Sequence, residues 1–202
     1  MATMNASEVT VGSAAATGAI FVAPQGTQLP ANAVDQLDSE TWTLLGFTSD
    51  AGVQISESSS NQSIRAWEAR TEVYNVKTEY TEAVSFMPIQ CNADVAKLMW
   101  GNDAVTVNGD GSFTALHHGR TIDPVAITIE TTPRENIVKR YCGTFQLTER
   151  GASTMDGTQV DGRQLTFNAI ADERGVTMVE HTAFIAEDET HEEDESHDGA
   201  EG

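Results

Sequence analysis

The stretch from residue 72 to residue 89 constrains the fold of this chain most. It holds two runs, 72–78 and 81–89, rich in the β-branched and aromatic residues that suit a pleated, half-buried surface. Both runs are therefore predicted to be β-strands. They follow a serine-rich polar segment, so the region has the pattern of a hairpin.

The hydrophobic period changes directly after these strands, between residues 92 and 101. Asn92 is placed to cap a helix, Gly101 is placed to end it, and Val95, Leu98 and Met99 fall on one stripe of the helix surface. This pattern predicts one short amphipathic helix that packs on a sheet.

The remainder of the chain has the pattern of many short strands separated by turns. Asn108 and Gly109 give a strong hairpin signal, because both residue types tolerate a positive φ. Further strands are predicted at 20–24, 42–47, 53–56, 104–107, 112–116, 125–130, 137–145, 165–170 and 176–184. The predicted fold class is mainly β, an antiparallel β-sandwich or barrel with one short flanking α-helix.

The composition divides the chain into three parts. Residues 1–18 are small and polar and are predicted to form a flexible N-terminal arm, whereas residues 19–186 form the β domain. Residues 187–202 are acidic and lack aromatic side chains, which predicts a disordered, solvated tail.

A polar segment inside the β domain leads into an unusual group of side chains. Residues 57–62 are predicted to be a loop, part of an extended assembly loop over 56–71, and Arg65, Trp67 and Arg70 follow closely. Trp and Arg are favoured at protein interfaces. A flexible surface loop beside an ordinary core Trp is the alternative, and the spacing alone does not separate the two.

The charge of the chain disfavours nucleic-acid binding. The 202 residues include 31 acidic and 11 Lys or Arg side chains, for a net charge of −20. Nucleic-acid binders gain affinity by releasing counterions with basic residues, which this chain largely lacks. No apolar stretch approaches the ~20 residues of a membrane span, and no secretory signal is evident, so we expect no membrane association.

The two cysteines are predicted to be structural. Cys91 and Cys142 are compatible with a disulfide or with free thiols, and the missing secretory signal favours free thiols. Both are expected to be small core residues, and neither has a nearby His partner for nucleophilic catalysis.

The side chains capable of catalysis or metal binding do not converge in the sequence. His117 and His118 are adjacent and point to opposite faces of an extended chain, and His191 and His197 lie in the acidic tail. No phosphate-binding glycine loop or nucleophile elbow is present. Acids on the core strands are expected to share one exposed face: Glu72, Glu79, Glu82 and Glu130. The sequence therefore predicts a non-enzymatic protein with no catalytic residues, metal or cofactor.

The order of elements resembles that of the major tail proteins, or tail tube proteins, of long-tailed, non-contractile (siphovirus-type) bacteriophages, of actinobacteriophage type. Two blocks carry the resemblance, residues 19–27 with 44–53 and then 64–67 with an aromatic–glycine pair that ends the helix. The remaining matching positions are Thr78, Thr81, Phe86, Ile89, Asn92, Val95, Trp100 and Gly101. The resemblance covers residues 18–101 best.

This resemblance implies a phage tail-tube fold and a structural role in the virion. Six copies would close a ring by joining their sheets, and stacked rings would form the hollow tube through which the genome enters the host cell. The implied partners are other copies of the chain, the tape measure protein, the tail terminator and the distal tail or baseplate proteins, with DNA passing unbound. The implied location is the virion tail, assembled in the host cytoplasm.

The resemblance also assigns expected contact residues. The polar loop would reach the adjacent ring, and Trp67, Arg65 and Arg70 would anchor it. The complete contact set is Glu57, Ser58, Ser59, Ser60, Asn61, Gln62, Ser63, Ile64, Arg65, Trp67 and Arg70. An acidic wall would let DNA slide, so the lumen is expected to use Glu72, Glu79, Glu82 and Glu130. The alternative function is a non-enzymatic β-sandwich virion decoration or receptor-binding module that stays a monomer or small oligomer.

Overall fold

Ten β-strands and one α-helix make up the described part of the chain. The computed structural model describes residues 13–14, 19–134, 136–158 and 160–185. The strands are β1 (Ile20–Pro24), β2 (Thr43–Leu44), β3 (Thr48–Arg65), β4 (Glu72–Pro88), β5 (Val105–Val107), β6 (Phe113–Ala115), β7 (Val125–Arg134), β8 (Ile137–Arg150), β9 (Leu165–Ile170) and β10 (Met178–Phe184). The helix, α1, spans Ala93–Trp100 and a 3₁₀ turn, Asn102–Ala104, follows it.

The main sheet is antiparallel and has the strand order β2-β1-β7-β8-β9-β4-β3, with β10 paired to β8. β9 and β10 lie end to end along the same edge of β8, because Ile170 pairs with Thr144 and Met178 pairs with the preceding Gly143. A separate two-stranded sheet contains β5 and β6. The mainly antiparallel β fold with one helix confirms the predicted class.

The two ends of this strand order are joined by a three-residue segment, residues 45–47. The backbone N–H of Leu45 donates to Ile20 O at 3.1 Å, and Phe47 O accepts from the N–H of Ile89 at 3.0 Å. Residues 45–47 therefore bring the β1 end and the β4 end of the curved sheet together, and we call the body that they enclose the barrel. Gly46 suits this crossing, since its φ is +93° and a Cβ would collide with the Gln90 side chain.

The core lies inside this curved sheet. Phe86 of β4 stacks on Phe167 of β9 with ring centroids 5.4 Å apart, and Phe145 of β8 is fully buried beside them. The rest of the core cluster comes from the inner faces of the strands and from α1: Ile20, Leu45, Val84, Val95, Leu98, Ile127, Ile129 and Leu165. The predicted helix stripe supplies Val95 and Leu98 to this cluster, and alternate residues of β4 and β7 supply four more of its members.

The helix closes one end of the barrel as the sequence predicted. The Asn92 side chain accepts a hydrogen bond from Val95 N at 2.7 Å, and Gly101 ends the helix with a φ of +92°. The Asn92 amide nitrogen Nδ2 also donates to Leu45 O, which connects the helix to residues 45–47. Val95 and Leu98 are buried, so the predicted stripe faces the core.

Several strand boundaries differ from the prediction. The strand expected at 42–47 is reduced to the two residues of β2, because residues 45–47 leave β1 to cross to β4. The runs 72–78 and 81–89 form a single strand, and β7 and β8 extend past their predicted ends. The predicted β5–β6 hairpin is confirmed, with Gly111 at a φ of +86° in its turn.

The terminal segments are described only in part. Two residues of the expected N-terminal arm lie against β7, where Ala14 bridges Thr131, Ser13 O accepts from the N–H of Thr132, and the Ser13 hydroxyl donates to Thr132 O. The remaining arm residues and the acidic tail at 187–202 lie outside the described residues.

A loop at residues 25–42, here called the covering loop, packs on the outer face of β1, β7, β8 and β10. Arg140 of β8 is buried beneath it and donates to the carbonyl oxygens of Asn32 and Asp35 at 3.1 and 2.8 Å. The same guanidinium lies 2.6 Å from a carboxylate oxygen of Glu130 on β7. One buried cation therefore fastens the loop to two strands.

The covering loop also carries its own carboxylate cap. The backbone N–H of Ala31 donates to the Asp35 carboxylate at 2.8 Å, and this bond holds the pKa of Asp35 below its ordinary value. A lowered folded-state pKa stabilises the loop above the unfolded pKa of about 3.9. That contribution is lost as the pH falls through the folded-state pKa.

We predict that Arg140→Met lowers the free energy of unfolding by about 3 kcal/mol, because it leaves the Glu130 carboxylate partly buried without its cation. Glu130→Gln is the matched control, since it keeps an acceptor for Arg140, and we expect it to cost about 1 kcal/mol. Urea unfolding followed by tryptophan fluorescence measures both. Equal losses for the two variants would contradict the role given to Arg140.

Candidate assembly surface

β3 and β4 extend far beyond the body of the protein as a two-stranded arm. β9 accompanies β4 only from Ala83 to Phe86, and beyond that point β4 pairs with β3 alone. Every residue from Ser56 to Thr81 is exposed except the half-buried Ala66. At ~3.4 Å per residue, ten paired residues give the arm a length of about 34 Å. We call residues 56–81 the hairpin arm.

The hairpin arm corrects the predicted loop at residues 57–63. These residues belong to β3 and pair in antiparallel register with β4, from Glu57 opposite Glu82 to Ser63 opposite Asn75. Their Ser, Asn and Gln side chains are typical of loops in composition. A partner strand rich in Val and Tyr overrides that preference by completing the backbone hydrogen bonds on one edge.

The chain reverses at the tip through a strained turn. The N–H of Ala66 donates to Thr71 O at 2.8 Å, and Ala69 and Arg70 have φ values of +53° and +52°. A left-handed conformation costs a non-glycine residue about 1 kcal/mol. Two such residues in succession hold the tip in a defined shape, and strain of this kind is found at functional segments.

The tip exposes large apolar side chains. Trp67 is 95% exposed. Ile64 lies directly opposite Tyr74 across the two strands, and both side chains are exposed to solvent. Together with Val73 and Val76 these residues form what we call the tip cluster. The alternative of a core Trp at position 67 is therefore wrong, since nothing in the described part of the chain covers it.

Two arginines flank the tip cluster. Arg65 and Arg70 are exposed, and neither has an acidic partner within the described residues. The tip thus combines an indole, apolar surface and two available guanidiniums, the side chains that dominate interface energies. The structure brings together the three anchors named from the sequence.

Sequence reasoning missed the contribution of Val73, Tyr74 and Val76 to this surface. The sequence predicts only that they belong to a strand, because β-branched and aromatic residues suit a pleated, half-buried surface. The signal that could have found them is the composition of the opposite strand, whose Ser, Asn and Gln residues offer no core for them to cover.

The four candidate lumen acids do not share one face. Glu72 and Glu79 are exposed on the hairpin arm. Glu82 lies where β4 enters the barrel and is only 8% exposed. Its carboxylate accepts a hydrogen bond from the Thr177 hydroxyl. The Glu130 carboxylate forms an ion pair with Arg140. The expected common exposed face is therefore wrong for Glu82 and Glu130.

The base of the arm also has a distinct electrostatic environment. Tyr80 lies near Glu82 and Glu57, and its loss of hydration, followed by the two negative charges, raises the pKa of its hydroxyl. Tyr80 therefore stays protonated through the physiological pH range. Lys77 contacts the same ring, with Nζ 4.0 Å from its centroid.

The histidines and cysteines have structural surroundings. His117 stacks on Trp100 with centroids 3.8 Å apart, and His118 Nδ1 accepts from the N–H of Arg120. Cys142 is a buried free thiol whose pKa is raised by burial, whereas Cys91 is exposed, which corrects its assignment to the core. Across the described ranges, no group of three His, Cys, Asp or Glu side chains is arranged to hold a metal ion.

In the described part of the chain, no helix is long and apolar enough to cross a bilayer. The geometry defines a class: a β-barrel protein with a large exposed apolar surface at the end of an extended arm. Such a surface belongs to proteins that assemble.

Comparison with protein families identifies that class. A family model described as phage tail tube protein matches residues 2–194, nearly the whole chain. The chain belongs to this family, which makes it a structural protein of the phage tail, and the match confirms the resemblance drawn from the sequence. No curated protein matches the chain.

We predict that the hairpin arm is the least protected part of the β-structure in the free monomer. Two-stranded hairpins without a core are marginally stable in water, so amides of residues 57–65 and 72–81 should exchange much faster than those of 83–88. Hydrogen exchange read by mass spectrometry measures this. Equal protection of the arm and the barrel strands in a monomer would contradict it.

Proposed function

We propose that this chain self-assembles as stacked hexameric rings into the tail tube that conducts the phage genome into the host cell. The observation that carries the proposal is the tip cluster, which lies about 34 Å from the barrel with no cover in the described residues. Six-fold symmetry comes from the family resemblance. The geometry supports contact between rings through the hairpin arm.

Open strand edges support ring closure. β10 pairs with β8 on one side, and no strand occupies its other side within the described residues. The far edge of β3 is likewise unpaired along the 18 residues of that strand. Unpaired edges favour pairing with another chain, and a head-to-tail contact that closes on itself gives a ring.

The shape of the two poles supports stacking. The hairpin arm leaves the barrel at Glu82, whereas β4 ends at Pro88 next to α1, so arm and helix lie at opposite ends of the same strand. Two different ends produce a heterologous, open contact between copies. Rings joined in this way stack in one direction, as a tube requires.

The wall that faces the DNA is assigned to the outer face of β3, β4, β9 and β8. By strand alternation this face carries small polar side chains in register, with Ser85 opposite Thr166 and Asn168 opposite Gln146. On β4 the next residues of the same face toward the arm are Ala83, Thr81 and Glu79. An uncharged and weakly acidic wall gives phosphates no cation to bind.

Of the four candidate lumen acids, we therefore assign only the exposed acids of the hairpin arm to the wall of the tube. Glu79 continues the uncharged face, and Glu72 lies near the tip. Glu82 and Glu130 are engaged in bonds within the subunit, so we no longer place them on the wall. The passing DNA, the tape measure protein and the tail terminator remain the partners implied by the family.

We predict that Trp67→Ala abolishes or strongly slows tube formation while the monomer keeps its stability within about 0.5 kcal/mol, because a 95%-exposed indole contributes little to the isolated fold. Trp67→Phe is the matched control and should retain most assembly. Negative-stain electron microscopy and sedimentation read the outcome. Normal tubes from Trp67→Ala would contradict the role of the tip.

We predict that Glu79→Lys lets assembled tubes retain short duplex DNA, because a cation repeated around and along the wall binds phosphates. Co-sedimentation of tubes with DNA should be absent for the unmodified protein, detectable for Glu79→Lys, and lost as salt rises. Glu79→Gln separates loss of negative charge from gain of positive charge. No difference between Glu79→Lys and Glu79→Gln would remove Glu79 from the wall.

A further inference from the structure

A cleft opens at the pole of the barrel that is opposite to the hairpin arm. Its volume is about 670 Å³, and it lies between α1, the end of β1 and the segment that leads into β7. Arg150, at the end of β8, donates to Met99 O of α1, which places the helix at the pole where β4 and β8 end. The cleft and the arm are therefore separated by the length of the barrel.

The wall of the cleft is a preformed structure. Trp100 is 8% exposed and is held between His117, stacked at 3.8 Å, and the Arg150 guanidinium, whose carbon lies 4.7 Å from the ring centroid. Val22 and Ile122, both partly exposed, give the cleft its accessible apolar surface, and polar side chains line the rest of it. An inserted indole can bury its ring against such apolar side chains and keep its N–H near polar groups.

The rim of the cleft carries carboxylates in excess of cations. Asp94 pairs with Lys97 at 2.9 Å, and Asp103 contacts Arg120 at 3.4 Å. Asp123 is exposed on the same rim and has no cationic partner among the described residues. The rim thus retains an unneutralised negative charge.

We propose that this cleft receives the tip of the hairpin arm from a second copy of the chain, with Trp67 inserted beside Val22 and Ile122 and Arg70 or Arg65 paired with Asp123. This inference rests on the proposed function and names the receiving surface for the same arm. Three observations support it: the exposed indole, the unpaired charges of opposite sign, and the position of the two surfaces at opposite poles.

The polarity of the contact follows from this assignment. A tip that enters the opposite pole of the next copy leaves that copy's own tip free for a third. The contact repeats without closing along the tube axis. Charge pairing between Arg70 and Asp123 orients the tip, and burial of the indole provides most of the affinity.

The test is a disulfide trap in a background that carries Cys91→Ser, which removes the exposed thiol. Trp67→Cys and Asp123→Cys are combined in one chain, and tubes are oxidised and run on a non-reducing gel. Disulfides form only when Cα atoms approach within about 7 Å, so the bond reports direct docking. We expect a ladder of covalent dimers, trimers and longer species.

The matched control replaces Asp123→Cys by Thr182→Cys, an exposed position on β10 near the pole of the arm. We expect at least tenfold less cross-linking for this pair. Equal or greater cross-linking to position 182 in tubes visible by electron microscopy would overturn the docking site. Failure of the unmodified protein to form any tube would instead overturn the proposed function, and the docking site with it.

A second experiment covers the case in which Trp67→Cys prevents assembly. Arg70→Cys then replaces Trp67→Cys, and Arg70→Asp is combined with Asp123→Arg in an otherwise unmodified chain. We expect each charge reversal alone to slow assembly at low salt and the pair to recover at least half of the unmodified rate. An additive loss in the double variant, together with no Arg70→Cys cross-link, would overturn the inference.

Discussion

The pairing of β3 with β4 is the interaction on which the architecture depends. Within the barrel, β4 is supported on both sides, by β9 and β3, and its alternate residues Val84 and Phe86 are buried in the core. Beyond Glu82 the same strand has one partner and no core. One continuous hairpin is therefore anchored in the core at its base and ends in an exposed tip that has no core of its own.

Glu82 lies at the boundary between the part of β4 inside the barrel and the part in the hairpin arm. Its carboxylate lies at the last buried position of β4 and takes a hydrogen bond from Thr177, in the turn between β9 and β10. A buried carboxylate is tolerated only where such a partner is present. This bond lies at the level where the arm separates from β10, so that β10 keeps an edge available for another chain.

The covering loop and the cleft place their charged groups in different environments. Arg140 fastens the covering loop over β7 and β8 through carbonyl oxygens and Glu130, which removes a cation from the surface of an already acidic protein. The pole that carries α1 instead holds its aromatic and charged groups around an open cleft. The different chemistry of the two poles is what a directional stack of identical subunits needs.

Much of the barrel follows from the sequence because its signals are local. Short runs of strand-forming residues located β1 and β9 at their observed bounds, and Asn92 with Gly101 fixed the ends of α1. Arg65, Trp67 and Arg70 could also be proposed as contact residues from the sequence, because Trp beside Arg after a polar segment is unusual on a monomer. The strand conformation of residues 57–63 was not accessible, since it depends on a partner strand rather than on the residues themselves.

The sequence by itself determined the mainly β class, the single helix, the family and the acidic character that disfavours DNA binding, since each depends on composition or on the order of neighbouring residues. Only the tertiary structure decided which carboxylates are exposed, because burial of Glu82 and Glu130 depends on Thr177 and Arg140, distant in sequence. It also decided that the arm and the cleft lie at opposite poles, since that relation comes from the direction of β4 through the closed barrel.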